Sequence, residues 1–234
     1  MTYVHFFNRR DFLKKAGGTV SLLPIIDHFL PSIVKSEEKI LEKIKINSPH
    51  IAKLLKDMDS KGYRFLSVPW KDGEFLHLII KAIRALNVLE VGTSHGFSSI
   101  WIGLALEETE GHLLTIEINE EHYLLAKKNI ETARLSHRIT CIKGDAHKIV
   151  PKLDGPFDFI FLDADKEGQM DYFKKLYPKK INPGGIIAVH NAISQERYMM
   201  DYLEMIKKHP DFDTVVLSLT MDDGFALSYR HRFL

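Results

Sequence analysis

The chain has a single cysteine, Cys141, in 234 residues, and this excludes an internal disulfide as well as any multi-cysteine zinc site. It has no excess of charge of either sign: 32 Lys and Arg stand against 31 Asp and Glu. That balance gives no footprint for nucleic acid and no acidic tail, and electrostatics names no polymeric partner. No stretch approaches the ~20 consecutive apolar residues of a spanning helix, so stable membrane insertion is not expected. Internal repeats and low-complexity tracts are also missing. What remains, at 45% hydrophobic and 27% charged, is a chain able to bury one substantial core.

The most informative stretch is Val88-Leu-Glu-Val-Gly-Thr-Ser-His-Gly-Phe-Ser98, an apolar strand running into a loop with Gly92 and Gly96 and then a helix. Small residues there let backbone approach a ligand, and the helix N-terminus supplies free N–H groups. Glu90 separates the ligands. A carboxylate at that point repels a pyrophosphate but suits a sulfonium and an ammonium, as in S-adenosylmethionine, and Gly92-x-x-x-Gly96 misses the dinucleotide pattern. The next apolar run, His112 to Ile118, ends in Glu117, at roughly the ~20-residue offset where an acidic side chain binds a ribose diol. Alone, Glu117 reads equally well as a cap for the helix starting near Asn119. Paired with the loop, the ribose role is preferred.

Residues 1–34 read as a separable extension, with Pro24 and Pro31 breaking any long helix. Within it Asn8-Arg-Arg-Asp-Phe-Leu-Lys14 resembles a twin-arginine export signal, followed by a weakly apolar run from Ala16 to Ile26. Asp27 and His28 interrupt that run and no A-x-A site follows, so a cytoplasmic location is favoured over export. Residues 35–66 carry Ile40, Ile44, Ile51, Leu54, Leu55 and Met58 at helical spacing, with Pro49 splitting the stretch. Residues 67–234 form the main domain.

From residue 73 onward helical and strand patterns alternate. Helices are expected at about 73–85, 96–107, 119–134, 146–152, 168–179 and 195–208, with strands at 87–91, 112–117, 138–142, 157–162, 185–190, 213–219 and 224–230. Such alternation gives an α/β fold, a mostly parallel sheet with helices on both faces. The last two runs, separated by Thr220-Met-Asp-Asp-Gly224, read as a C-terminal hairpin that places one antiparallel strand in the sheet.

Phe157-Asp-Phe-Ile-Phe-Leu-Asp-Ala-Asp-Lys166 ends in charge, and Gly185-Ile-Ile-Ala-Val-His-Asn191 ends in two polar residues. Ligands in these sheets bind beyond the carboxyl ends of the strands. If the two strands are neighbours, Asp163, His190 and Asn191 converge and can form a facial metal-ligand set. Individually each also reads as a loop cap.

With these motifs in order, the chain from about Ser67 to Arg230 resembles the class I S-adenosylmethionine-dependent O-methyltransferases of the caffeoyl-CoA and catechol type. Asp72-Gly-Glu-Phe-Leu76, Val88 to Thr93, Thr115 to Ile118, Gly144-Asp-Ala146, Phe161 to Lys166 and Asn182-Pro-Gly-Gly185 carry the resemblance. It implies a Rossmann-like seven-stranded sheet, a homodimer, a small aromatic or catechol-like acceptor, and a cofactor site at Val68, Glu90, Gly92, Thr93, Ser98, Glu117, Asp145, Ala146 and Asp163. It makes Asp163 the first metal ligand and a member, with Lys166 and His190, of the catalytic group; Lys166 is the candidate general base.

One departure stands out. Where the family has an adjacent Asp-Asn pair of ligands, this chain has His190-Asn191. Imidazole in place of carboxylate favours Mn²⁺, Co²⁺, Fe²⁺ or Zn²⁺ over Mg²⁺, and it leaves open a metal-free enzyme with His190 as base. Two rival functions also stay open, a nucleotide-dependent oxidoreductase and a non-catalytic cofactor-binding relative. His95 and His147 are expected to be solvent-facing loop residues, and Trp70 and Trp101 packing residues.

Overall fold

The computed structural model describes residues 48–218 and 223–232. The extension at 1–34, the export-like motif at Asn8–Lys14, the first part of the expected N-terminal helices and Thr220–Asp222 of the hairpin turn lie outside the described residues.

Seven strands form one sheet in the order β3-β2-β1-β4-β5-β7-β6. They are β1 (Asn87–Val91), β2 (His112–Glu117), β3 (Ile139–Lys143), β4 (Phe157–Leu162), β5 (Ile181–His190), β6 (Phe212–Leu217) and β7 (Phe225–Arg230). β1 pairs in parallel with both β2 and β4, and β4 with β5. β7 inserts antiparallel between β5 and β6, as the hairpin reading requires. The central strands are buried on both faces, with Leu89, Val91, Ile160 and Leu162 on one and Val88, Phe159 and Phe161 on the other, because helices cover the sheet from either side.

The helices are α1 (Pro49–Asp59), α2 (Gly62–Phe65), α3 (Trp70–Ile83), α4 (Phe97–Thr109), α5 (Glu120–Thr132), α6 (Ala146–Ile149), α7 (Gln169–Leu176) and α8 (Met200–Lys208). α1 begins at Pro49, whose missing N–H costs nothing in a first turn. α4 is buried almost all round, from Phe97 to Leu106. Three expected elements are shorter or broken. α7 stops at Leu176 rather than 179, because Pro178 pushes Tyr177 out of helical geometry, at φ −90° and ψ 141°. The expected helix at 195–208 is a 3₁₀ turn, Glu196–Tyr198, followed by α8, and that at 146–152 is α6 followed by a 3₁₀ turn, Val150–Lys152. Conversely β5 starts at Ile181, ahead of the expected 185, by carrying Asn182-Pro-Gly-Gly185 as an irregularity whose register against β4 shifts between Phe157 and Phe159.

The strand order reverses between β1 and β4. Their carboxyl ends open onto a common crevice, where a ligand is expected in such a sheet. α3 closes one flank by packing on α4 at Gly73, where an added Cβ would lie 2.3 Å from Cδ1 of Trp101. Trp101 is fully buried and meets Trp70 edge-on, with ring centroids 5.1 Å apart, so both tryptophans pack as the sequence suggests. Gly73→Ala should therefore cost about 1–3 kcal/mol of stability through overpacking. Urea denaturation of the variant reads this directly, and an unchanged midpoint would show that α3 can move off Trp101.

Candidate active site

The loop after β1 is shaped by two glycines at positive φ, Gly92 at 100° and Gly96 at 89°. A Cβ on Gly92 would lie 2.5 Å from the backbone oxygen of Asp163, so the first glycine is demanded by the neighbouring strand end as well as by its own conformation. Between them Ser94 donates its hydroxyl to the carbonyl of Phe65 at 2.6 Å and its backbone N–H to Glu117 Oε2 at 2.7 Å. Glu117 also accepts the N–H of Asn119 at 2.7 Å, while the side-chain cap of α5 is Asn119 itself, which accepts from the N–H of His122. The helix is thus capped without Glu117. Its carboxylate, nearly buried, faces a cavity of about 570 Å³.

Val68, Gly92, Thr93, Ser98, Glu117, Asp145, Ala146 and Asp163 all line this cavity. Glu90 does not. It lies one layer behind the wall, fully buried, and accepts the hydroxyls of Ser98 at 2.5 Å, Thr115 at 2.6 Å and Ser99. Burial pushes its carboxyl up to about 7, against the pull of the three hydroxyls, and the nearby Asp163 adds to the rise. Glu90 is linked to the cavity wall through Ser98 directly and through Thr115 to Thr93.

Of the two histidines expected to face solvent, His95 is buried, whereas His147, on α6, keeps a third of its side chain exposed. His95 is 2% exposed, stacked on Phe65 with centroids 4.6 Å apart, and within 3.0 Å of the Ser67 hydroxyl. Its burial lowers its pKa to about 4, so it stays neutral and works as a packing piece that fastens α2 to the glycine loop. His147 lines the cavity, stacks on Tyr172 at 4.3 Å and lies between Asp171 and Asp165. Burial alone would lower its pKa, but the two carboxylates outweigh it and raise it. Tyr172 donates to Asp165 at 2.7 Å, so Asp165 holds the aromatic wall. His147 and Tyr172 were hidden in the sequence because their contact spans separate elements.

A second cavity of about 460 Å³ adjoins the first, and Leu66, Ser67, Asp163 and Ala164 line both. Its inner end carries Lys166, His190, Asn191, Gln195 and Asp223. Here β4 and β5 are neighbours, as the sequence reading required, and Asp163 and His190 do meet: Nδ1 lies 3.2 Å from Asp163 Oδ1. The same oxygen accepts Lys166 Nζ at 2.6 Å. His190 Nε2, however, lies 3.0 Å from Oδ2 of Asp72, a buried residue of α3 that the sequence reading placed only within a motif. A ring with carboxylates at both nitrogens donates from both, which is the imidazolium form. Burial opposes that charge, yet Asp163 and Asp72 raise His190 to about 9. Burial likewise opposes ionisation of Asp163, and the charges of His190 and Lys166 hold it down at about 2.

Asn191 does not join this group. Its backbone is left-handed, at φ 61°, and its amide lies 3.2 Å from Asp223 Oδ1 and 3.3 Å from Ser194 Oγ. Among the described His, Cys, Asp and Glu residues, the close grouping of donor atoms is instead Asp72, His190 and Asp223, all within 4.8 Å of one another.

A parallel sheet reversed between β1 and β4, a glycine loop at the reversal and an acidic residue ending β2 define a Rossmann-like enzyme with a nucleoside cofactor. More narrowly, the chain belongs to the O-methyltransferase family, whose model matches residues 42–230. It is 30% identical over 220 residues to the catechol O-methyltransferase of Mycobacterium tuberculosis, covering 88% of this chain and 94% of that one. It is 33% identical over 205 residues to caffeoyl-CoA O-methyltransferase 2 of Petunia hybrida, covering 78% and 84%. Among solved structures, the O-methyltransferase TomG of Streptomyces achromogenes in complex with SAM aligns at TM-score 0.68 and 27% identity, over 76% of this chain and 89% of that one. The Bacillus cereus O-methyltransferase in complex with SAH aligns at 0.72 and 25%, over 84% and 97%.

Two outcomes follow from this geometry. If the Glu117 carboxylate facing the cavity accepts the ribose hydroxyls, Glu117→Ala should weaken S-adenosylmethionine binding by roughly 1.5–3 kcal/mol; calorimetry measures it. Glu90 contributes in a pH-dependent way. Its folded pKa of about 7 lies above the ordinary 4.5, so stability present below the ordinary value should be lost as pH rises through about 7. Glu90→Gln should flatten that slope in denaturation midpoints taken across the window, and an identical slope in the variant would assign it to another group.

Proposed function

We propose that the protein transfers the methyl group of S-adenosylmethionine from the first cavity to a hydroxyl of a small aromatic acceptor in the second. The observation that carries this reading is the shared wall, Leu66, Ser67, Asp163 and Ala164, across which two adjacent cavities communicate. A methyl transfer is an in-line displacement and requires donor and acceptor about 3 Å apart. Two cavities with one common wall supply that arrangement.

In this reading Glu117 binds the ribose diol, Asp145 and Ala146 flank the adenine with His147 and Tyr172 behind them, and the Gly92 loop holds the methionine end. The acceptor oxygen attacks the methyl carbon, the C–S electrons return to sulfur, and the positive charge of the sulfonium is discharged. The acceptor's hydroxyl proton passes to solvent, and the Lys166 ammonium, which lines the second cavity, steadies the oxygen anion that attacks. The names of the catechol and caffeoyl-CoA relatives support an aromatic acceptor. An oxidoreductase is disfavoured by Glu90 and by the missing third glycine. The homodimer implied by the resemblance and a cytoplasmic location belong to the same reading; among the described residues no helix is long and apolar enough to cross a membrane.

The purified protein should bind S-adenosylmethionine and its demethylated product and not NAD, and should add one methyl group to a phenolic acceptor, read by mass spectrometry. Lys166→Ala should lower kcat by about 10²–10⁴-fold while leaving cofactor affinity intact. Binding of NAD with none of S-adenosylmethionine would overturn the assignment.

A further inference from the structure

The divalent ion that the resemblance implies does not fit the residues at its expected place. Asp163 already shares one oxygen between Lys166 at 2.6 Å and His190 at 3.2 Å. His190 presents neither nitrogen as a bare lone pair, since the far one faces Asp72 at 3.0 Å. The ring is 3% exposed and packs against the stacked pair Phe161 and Phe225, with centroids 6.3 and 5.1 Å away, which holds it in place. Asn191, the third expected ligand, is turned to Asp223 and Ser194.

We propose that the enzyme works without a divalent metal: the ring of His190, laid between Asp72 and Asp163, takes the ion's structural place, and the acceptor is held through Lys166 and the cavity shape. Chelation asks for two vicinal oxygens, whereas a lysine asks for one. The acceptor class is therefore widened to phenols with a single ionisable hydroxyl. This inference rests on the methyltransferase reading for its chemistry, but its metal arm does not.

The test uses the full-length protein, purified without chelator. Elemental analysis should find well under one transition-metal ion per chain. Melting temperature should not move with Mg²⁺, Mn²⁺, Co²⁺ or Zn²⁺, and turnover of a monohydroxylated phenol should be unchanged by EDTA. His190→Asp, which removes the ring and restores an oxygen ligand, should acquire a metal-dependent rise in melting temperature. A folded His190→Asp blind to every ion would overturn the view that the ring keeps the metal out. Stoichiometric metal in the wild type, lost in Asp223→Asn, would overturn the proposal and place the ion on Asp72, His190 and Asp223. Acceptance of catechols but of no monohydroxylated phenol would overturn the acceptor class. Calorimetry with S-adenosylmethionine on the same preparation keeps the readings apart, because failure to bind the cofactor sinks the function while the metal measurements still decide this inference. The wild-type measurements need no variant to fold.

Discussion

The close approach of Gly92 to Asp163 is the contact on which the rest of the site depends. The carboxyl ends of β1 and β4 lie side by side, Asp163 donates its N–H to the carbonyl of Val91 at 2.8 Å, and no side chain fits between the two loops. One loop shapes the first cavity and the other carries Asp163, Ala164 and Lys166 to the second. A single backbone contact therefore sets the separation of the two cavities, and in the proposed reaction distance is the chief requirement.

Around that contact the protein handles buried charge in two different ways. Glu90 is surrounded by hydroxyls, whose dipoles partly offset its burial, and its carboxyl consequently titrates near neutrality. Asp163 and Asp72 are compensated by cations, and Asp163 stays ionised far below neutrality. The first arrangement lies behind the wall of the first cavity. The second borders the second cavity and forms a fixed framework of ion pairs. His190 belongs to the framework: with both nitrogens engaged and a pKa of about 9, it is displaced from the range in which a histidine near 6.5 exchanges protons.

The aromatic residues connect these centres to the helices. Phe65 and His95 clamp α2 against the glycine loop, and Ser94 bonds to the carbonyl of Phe65, so the roof of both cavities is attached to the same turn that receives the cofactor. Leu66, left-handed at φ 53° and 88% exposed, projects from that roof at the mouth shared by the two cavities.

Much of this was legible in the order of residues. Alternating apolar runs specify a doubly covered sheet because their period is a local property of the chain, and glycines at 92 and 96 with an acid at 117 mark a nucleoside site because each answers a local backbone or ligand demand. The helix ends at 176 and 199 were misjudged because the apolar pattern continues past the point where Pro178 or a 3₁₀ turn interrupts the hydrogen bonding. The meeting of His190 with Asp163 was legible from adjacent strand ends, whereas the partners of Asp72, His95 and His147 were not. His190 ends β5 and Asp72 lies on α3, 118 positions apart, and only the packing of α3 against the sheet brings their side chains to hydrogen-bond distance. By itself the sequence determined the fold class, the cofactor loop and the identity of the charged residues at the strand ends. Which of those charges pair with one another was decided by tertiary structure alone, since a charge pair depends on spatial separation, and separation along the chain carries no such information.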